Sequence, residues 1–252
     1  TTTDSNNESF IYTLRYDINS KSFELFDYQF NDENNSFINN GFIRNYAIDK
    51  TGLLWVGTRP NIYKQSPKTR QIKHYKHDDK DEFSLPSDLV TTIFEDSKQQ
   101  LWVGTTEGIA LKQGDGSFKT IGWFGHGKTG KSMGSVDEII EDSNDVIWVA
   151  TETGLYRWNA SRNLFEKLLI TMGENIDVAT LIEDNKNCIW VSIWDRGVYV
   201  LDKKSGNILK RFESNNSENH QLSSTNISVI YLDSKNKIWL GDPFDNEIGL
   251  FR

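Results

Sequence analysis

One ten-residue phrase recurs five times in the 252-residue chain: DKTGLLWVGT from Asp49, DSKQQLWVGT from Asp96, DSNDVIWVAT from Asp142, DNKNCIWVSI from Asp184 and DSKNKIWLGD from Asp233. Its tryptophans, Trp55, Trp102, Trp148, Trp190 and Trp239, stand 47, 46, 42 and 49 residues apart. A period in that range with one Trp per unit confines the chain to a repeat architecture, a propeller or a solenoid. Residue chemistry separates the two. The units are rich in Trp, Tyr, Phe, Ile, Val and Thr, and their short apolar runs are broken by Asp, Asn, Ser and Gly. These are strand and turn signals. No unit carries the sustained i, i+3, i+4 apolar stripe of a helical repeat.

Each unit reads as four strands, A to D. In the third, SVDEIIED is strand A, VIWVATE strand B, GLYRWNA strand C and NLFEKLLI strand D. Four antiparallel strands per unit, repeated about a centre, make an all-β fold, the β-propeller, with strand A on the axis and strand D outermost. In this frame the recurring Asp opens the A–B turn, where its carboxylate accepts a backbone N–H two residues on. The same chemistry accounts for five aligned Asp residues without a metal. The Trp is expected to be buried between adjacent blades. The small residues two places on, Gly57, Gly104, Ala150, Ser192 and Gly241, are expected where the next blade comes close.

Repeats start near residues 42, 88, 135, 177 and 226, within a single propeller region spanning 1–252. Segment 10–30 reads as a remnant of strands C and D, and the last blade is incomplete. GLFR at Arg252 matches GLYR of the third unit, so the chain opens in one B–C loop and stops inside an equivalent strand C. Either the first C and D strands complete the last blade, or the chain is cut from a larger propeller of the seven-bladed type. The second is the expectation.

Net charge is −8, which repels phosphate backbones and argues against nucleic acid as a partner. The one cysteine, Cys188, forms no internal disulfide. No apolar run approaches the roughly 18 residues of a membrane span, and TTTDSNNESF is not a signal peptide.

The stretches DEFSLPSDLVTTIFEDSKQQLWVGTTEGIALKQ, NSENHQLSSTNISVIYLDSKNKIWLG and ETGLYRWNASRNLFEKL resemble the two-component regulator propeller repeat. The resemblance runs from about Tyr12 to Arg252. It departs from the pattern at Ile193 and Asp242, where the repeat has Thr. It implies the periplasmic sensor region of a hybrid histidine kinase of the Bacteroidetes type, responding to carbohydrates released from polysaccharides. Its partners would be an oligosaccharide, neighbouring domains of the same receptor and, in the full receptor, a second copy. Kinase and DNA-binding parts would lie elsewhere, so this region is expected to be neither enzyme nor cofactor-bearing.

A–B turns are short in every unit, whereas the D–A loops from Lys76 to Leu89, Gly122 to Val136 and Glu213 to Asn226 are long. From the Trp to the aliphatic residue opening strand C, the spacing is 7, 7, 7, 8 and 11. Elaboration therefore gathers on the face of the D–A and B–C loops, where binding residues concentrate on a rigid scaffold. SIWDRG places Trp194, Asp195 and Arg196 there, and GDPFDNE places Asp242, Phe244 and Asp245. Aromatic, carboxylate and guanidinium together suit a sugar, including a uronic acid. The plainer reading is an inter-blade salt bridge beside a packing Trp. GHGKTGKS, Gly125 to Ser132, matches G-x-x-x-x-G-K-[ST], but strands A and B follow it rather than a helix, so nucleotide binding is not expected. Trp123 and His126 of that loop remain ligand candidates. An enzyme on this fold would need a His-based acid–base pair on the loop face, for which only His126 and His220 are placed.

Overall fold

The computed structural model describes residues 2–3, 9–10, 13–17, 22–26, 43–48, 53–58, 62–65, 72–121, 123–124, 131–168, 176–213, 222, 224–242 and 250–251. All regular structure among them is β. The fold is anchored at the A–B turn. Asp96 Oδ1 accepts the backbone N–H of Lys98 at 3.0 Å and of Gln100 at 2.8 Å. Its Oδ2 accepts the indole Nε1–H of Trp102 at 2.9 Å. The same arrangement joins Asp142 to Trp148 at 2.8 Å, Asp184 to Trp190 at 2.9 Å and Asp233 to Trp239 at 2.9 Å. One carboxylate thus closes the turn and holds the Trp six residues on. Asp49 lies outside the described residues.

The fourth residue of each turn is left-handed: Gln99 (φ 64°), Asp145 (60°), Asn187 (62°) and Asn236 (60°). Asp and Asn tolerate this conformation better than other non-glycine residues. The first copy has Gly52 at this place.

From these turns grow four-stranded antiparallel sheets in simple A-B-C-D order. The first comprises Ile43–Ile48, Leu54–Thr58, Ile62–Gln65 and Ile72–Tyr75. The second comprises Val90–Glu95, Leu101–Thr105, Gly108–Lys112 and Phe118–Thr120, and the third Val136–Glu141, Ile147–Thr151, Gly154–Asn159 and Leu164–Lys167. The fourth comprises Val178–Glu183, Cys188–Ile193, Gly197–Asp202 and Ile208–Phe212. The fifth has three strands, Val229–Leu232, Ile238–Gly241 and Leu250–Phe251. Thr13–Asp17 and Ser22–Phe26 pair as a separate two-stranded sheet. Strand A of each full sheet lies beside strand A of the next, as the blades of a β-propeller do.

The core sits between blades. Trp55 packs on Val90, Leu101, Val103 and Phe118 of the second blade, and Trp102 on Val136, Ile147, Val149 and Phe165 of the third. Trp148 packs on Val178, Ile189, Val191 and Leu201 of the fourth. These three indoles are at most 2% exposed. Trp190 and Trp239 are only half-buried, contrary to the expectation for all five. Trp190 stacks on Phe212 of its own blade and on the inner residues of the fifth. The fifth sheet has no outer strand among the described residues to add the aromatic that Phe118 and Phe165 supply elsewhere. Near the axis a Cβ on Gly104 would stand 2.7 Å from Val136 Cγ1 of the next blade, so close approach does require the small residue here.

A second set of contacts ties neighbouring blades on the turn face. Ser97 donates its N–H and hydroxyl to Glu141 at 2.7 and 2.8 Å, and Ser143 likewise to Glu183 at 2.6 and 2.8 Å. Buried Lys203 joins the second pair, with Nζ 2.5 Å from Glu183 and 2.7 Å from Ser143.

The GHGKTGKS motif ends in a hairpin: Lys131–Ser132 pairs antiparallel with Trp123–Phe124, and strand A of the third blade follows. Among the described residues there is no helix whose N-terminus could hold phosphate.

The Asp–Trp turn makes two predictions about stability. Asp142→Ala strands the buried indole N–H of Trp148 and opens the turn, costing about 2–4 kcal/mol. Trp148→Ala costs about 3–5 kcal/mol. Because both remove one unit, urea unfolding of the double variant should show much less than the sum. Gln99 is exposed and carries left-handed strain, so Gln99→Gly should raise stability by about 0.5–1 kcal/mol; an unchanged or lower urea midpoint would refute the strain argument.

Candidate functional site

The B–C turns of the second and third blades share one device. Thr105 donates its hydroxyl to the carbonyl of Gly108 at 2.9 Å and accepts the N–H of Glu107 at 3.2 Å. Thr151 does the same with Gly154 and Thr153. In the fourth blade this place belongs to Ile193, 1% exposed, which has no hydroxyl to offer. The turn is one residue longer and is held from outside. Asp195 takes a left-handed φ of 58° and donates its backbone N–H to the side-chain oxygen of Asn226, 3.1 Å away, in the loop entering the fifth blade. Arg196 N–H returns to the Ile193 carbonyl at 3.1 Å, and Trp194 N–H reaches the Asp177 carbonyl at 3.0 Å. Gly197 follows with φ 100°, and a Cβ there would meet the carbonyl oxygen of Phe212 at 2.2 Å.

The reshaped turn walls an open cleft of about 600 Å³. Its lining is Ile176, Asp177, Ile193, Trp194, Asp195, Arg196 and Asn226. Asp195 is exposed, and Trp194 and Arg196 are half-buried. The structure therefore brings three of the sequence candidates together and adds Asp177 and Asn226, which sequence spacing alone does not single out. Asp242 is half-buried at the end of strand B of the fifth blade and does not line the cleft. Of Trp123 only the backbone strand is described. His126, Phe244, Asp245 and His220 lie outside the described residues.

The cleft is electronegative. Burial, followed by the charges of Glu152 and Asp195, raises the pKa of Asp177. Asp137 stands beside it at the bulge of strand A in the third blade. Its side chain is exposed, so solvent screens it in part, yet desolvation by the surrounding protein, then the charges of Asp177, Glu152 and Glu138, push its pKa up to about 7. Glu138 is turned away, accepting from Thr180 Oγ1 at 2.6 Å and Leu181 N–H at 2.8 Å. Among the described residues no group of His, Cys, Asp and Glu is arranged to hold a metal ion.

Elsewhere on this face the loop between the first and second blades is organised around His77. Its Nδ1 lies 2.6 Å from the Leu85 carbonyl and its Nε2 3.0 Å from Asp79. Both ring nitrogens face acceptors, and the Leu85 carbonyl above all raises the pKa.

Known proteins share the repeat in part of this chain and the fold over most of it. Residues 84–107 match the family model described as two component regulator propeller. Histidine kinase P4 of Formosa agariphila is 38% identical over 89 residues, covering 33% of this chain and 6% of that protein. The extracellular domain of a B. thetaiotaomicron protein assigned to the hybrid two-component systems superposes with TM-score 0.69 at 25% identity, over 93% of this chain and 29% of its own. A second such B. thetaiotaomicron domain has TM-score 0.70 at 19% identity, over 99% and 33%. Streptogramin B lyase shares the fold, with TM-score 0.62 at 12% identity, over 99% and 80%. The chain spans a third or less of the kinase and of both B. thetaiotaomicron proteins.

Asp137 sets a pH dependence. Its folded pKa lies above its ordinary 3.8, so between that value and about 7 the folded state binds more protons than the unfolded one. Stability from this group falls as pH rises through that window. Asp137→Asn removes the effect. The gain in Tm of the variant over wild type should therefore grow from about pH 4 to about pH 8; a constant difference would contradict the raised pKa.

Proposed function

Taking as premise that the chain is built of two-component regulator propeller repeats, we propose that it is part of the extracytoplasmic sensor of a hybrid two-component receptor, and that the cleft at Trp194 takes an oligosaccharide. The observation that carries this reading is the cleft itself. It forms where the repeat loses its turn-capping Thr, on the loop face, and combines a half-buried indole with polar groups fixed from two blades. The flat face of Trp194 suits the C–H face of a sugar ring, and Asp177, Asp195, Arg196 and Asn226 suit its hydroxyls. The similarity to extracellular domains of hybrid two-component systems supports the location and the signalling role. Neighbouring domains of the receptor, and a second copy of it, are the proposed protein partners.

A second reading has one observation in its favour. Asp137, an exposed carboxyl near but not lining the cleft, has its pKa raised to about 7 among other carboxylates, the range a glycan-cleaving acid needs. Release of reducing ends from a neutral oligosaccharide, abolished in Asp137→Asn, would establish it over the sensor.

The sensor reading is tested by calorimetry with neutral oligosaccharides on wild type and Trp194→Ala. Binding should weaken by about 1–3 kcal/mol, as for other aromatic anchors, while the fold persists because Trp194 lies outside the inter-blade core. Unchanged affinity in a folded variant would remove this cleft from ligand binding.

A further inference from the structure

The charges around the cleft say which oligosaccharides it favours. This step rests on the proposed reading of the cleft as a saccharide site. Asp177 and Asp195 line it, and Glu152 lies within electrostatic reach of Asp177, with Asp137 next to both. Arg196 is the one cation in the lining among the described residues. The turn that carries Asp195 is fixed by Asn226 and by its own left-handed backbone. Asp195 is exposed, and its neighbour Trp194 presents an aromatic ring within the same cleft. An aromatic face bordered by carboxylates attracts a cation by the ring quadrupole and by direct charge.

We infer that the cleft selects a saccharide bearing a protonated amine, with its ring against Trp194 and its ammonium between Asp177 and Asp195. Anionic sugars are disfavoured, since a uronate would enter a field set by several carboxylates and countered in the lining by Arg196. This narrows the sequence expectation, which admits a uronic acid on the strength of Arg196. Burial and mutual repulsion already raise the pKa of Asp177. An arriving ammonium relieves that repulsion, so binding draws the group toward its ionised form and strengthens as pH rises, until the amine itself deprotonates.

The test compares a de-acetylated chitooligosaccharide, its fully N-acetylated counterpart and an oligogalacturonate of equal length, by calorimetry at neutral pH and low salt. The free amine should bind at least about tenfold tighter than the acetylated sugar, a preference reduced by salt as surface charge attraction requires. Asp195→Asn and Asp177→Asn should each erase most of it. Asp195→Asn is the safer variant, because the side chain is exposed and Asn accepts the same backbone conformation. Equal affinity for the amine and acetylated forms, or tighter binding of the galacturonate, overturns the charge preference and leaves the saccharide-sensing reading standing. A preference that survives both Asp variants also overturns it, since the amine would then be held elsewhere. Absence of binding by all three, in folded protein, overturns the preference and the saccharide reading together.

Discussion

From the second blade to the fifth, a single carboxylate per blade, shared between a turn and an indole, governs this structure. Its Oδ1 closes the A–B turn on two backbone N–H groups, and its Oδ2 holds the indole N–H of the following strand. The indole is thereby fixed in direction from within its own blade. It points out of its own sheet into the next, which is why the largest apolar side chains lie between blades rather than within them. The pairing also satisfies the one polar atom that burial of a Trp would leave stranded. A four-stranded sheet is too thin to have a core of its own; the Asp–Trp unit makes each sheet depend on its successor.

The remaining inter-blade bonds follow the same order of dependence. Ser97 reaches Glu141 and Ser143 reaches Glu183 from within the turns that Asp96 and Asp142 close. In the sequence, Lys50 and Asn185 stand where the other units have the serine, and Leu232 where the second to fourth have the glutamate. Among the described residues the serine–glutamate clasp joins the second blade to the third and the third to the fourth. Beyond the fourth blade, packing relies on Trp190, Phe212 and the aliphatic cluster around Ile227 and Ile230. The reshaped B–C turn lies at this less uniform junction.

Much of this is legible in the residues alone. The period and strand chemistry lead to four-stranded blades, and the B–C spacing of the fourth unit points to Trp194, Asp195 and Arg196. The Asp reads as a turn residue, and its bond to the Trp goes beyond that reading, although the constant spacing from Asp96 to Trp102 and from Asp142 to Trp148 carries the signal. Asp137, Glu152 and Asp177 are invisible for a different reason. Each sits at an ordinary place in its own blade, and only the stacking of the third blade on the fourth brings them into one field. Repetition overstates the burial of Trp190 and Trp239 because it suggests equal environments, whereas each indole is covered by the particular residues of the next sheet.

The replacement of the capping Thr by Ile193 connects scaffold and cleft. In the second and third blades the B–C turn is closed by its own hydroxyl. In the fourth, closure passes to Asn226, which belongs to the loop of the following blade. The cleft is therefore built across a blade junction, with Trp194 and Asp195 on one side and Asn226 on the other. A ligand that fills it would touch both blades, and its binding energy would then depend on how they sit together. A cleft confined to one blade would report occupancy only within that blade. One that spans a junction makes occupancy and blade packing a single equilibrium, which is the physical requirement for passing a binding event along a chain of repeats.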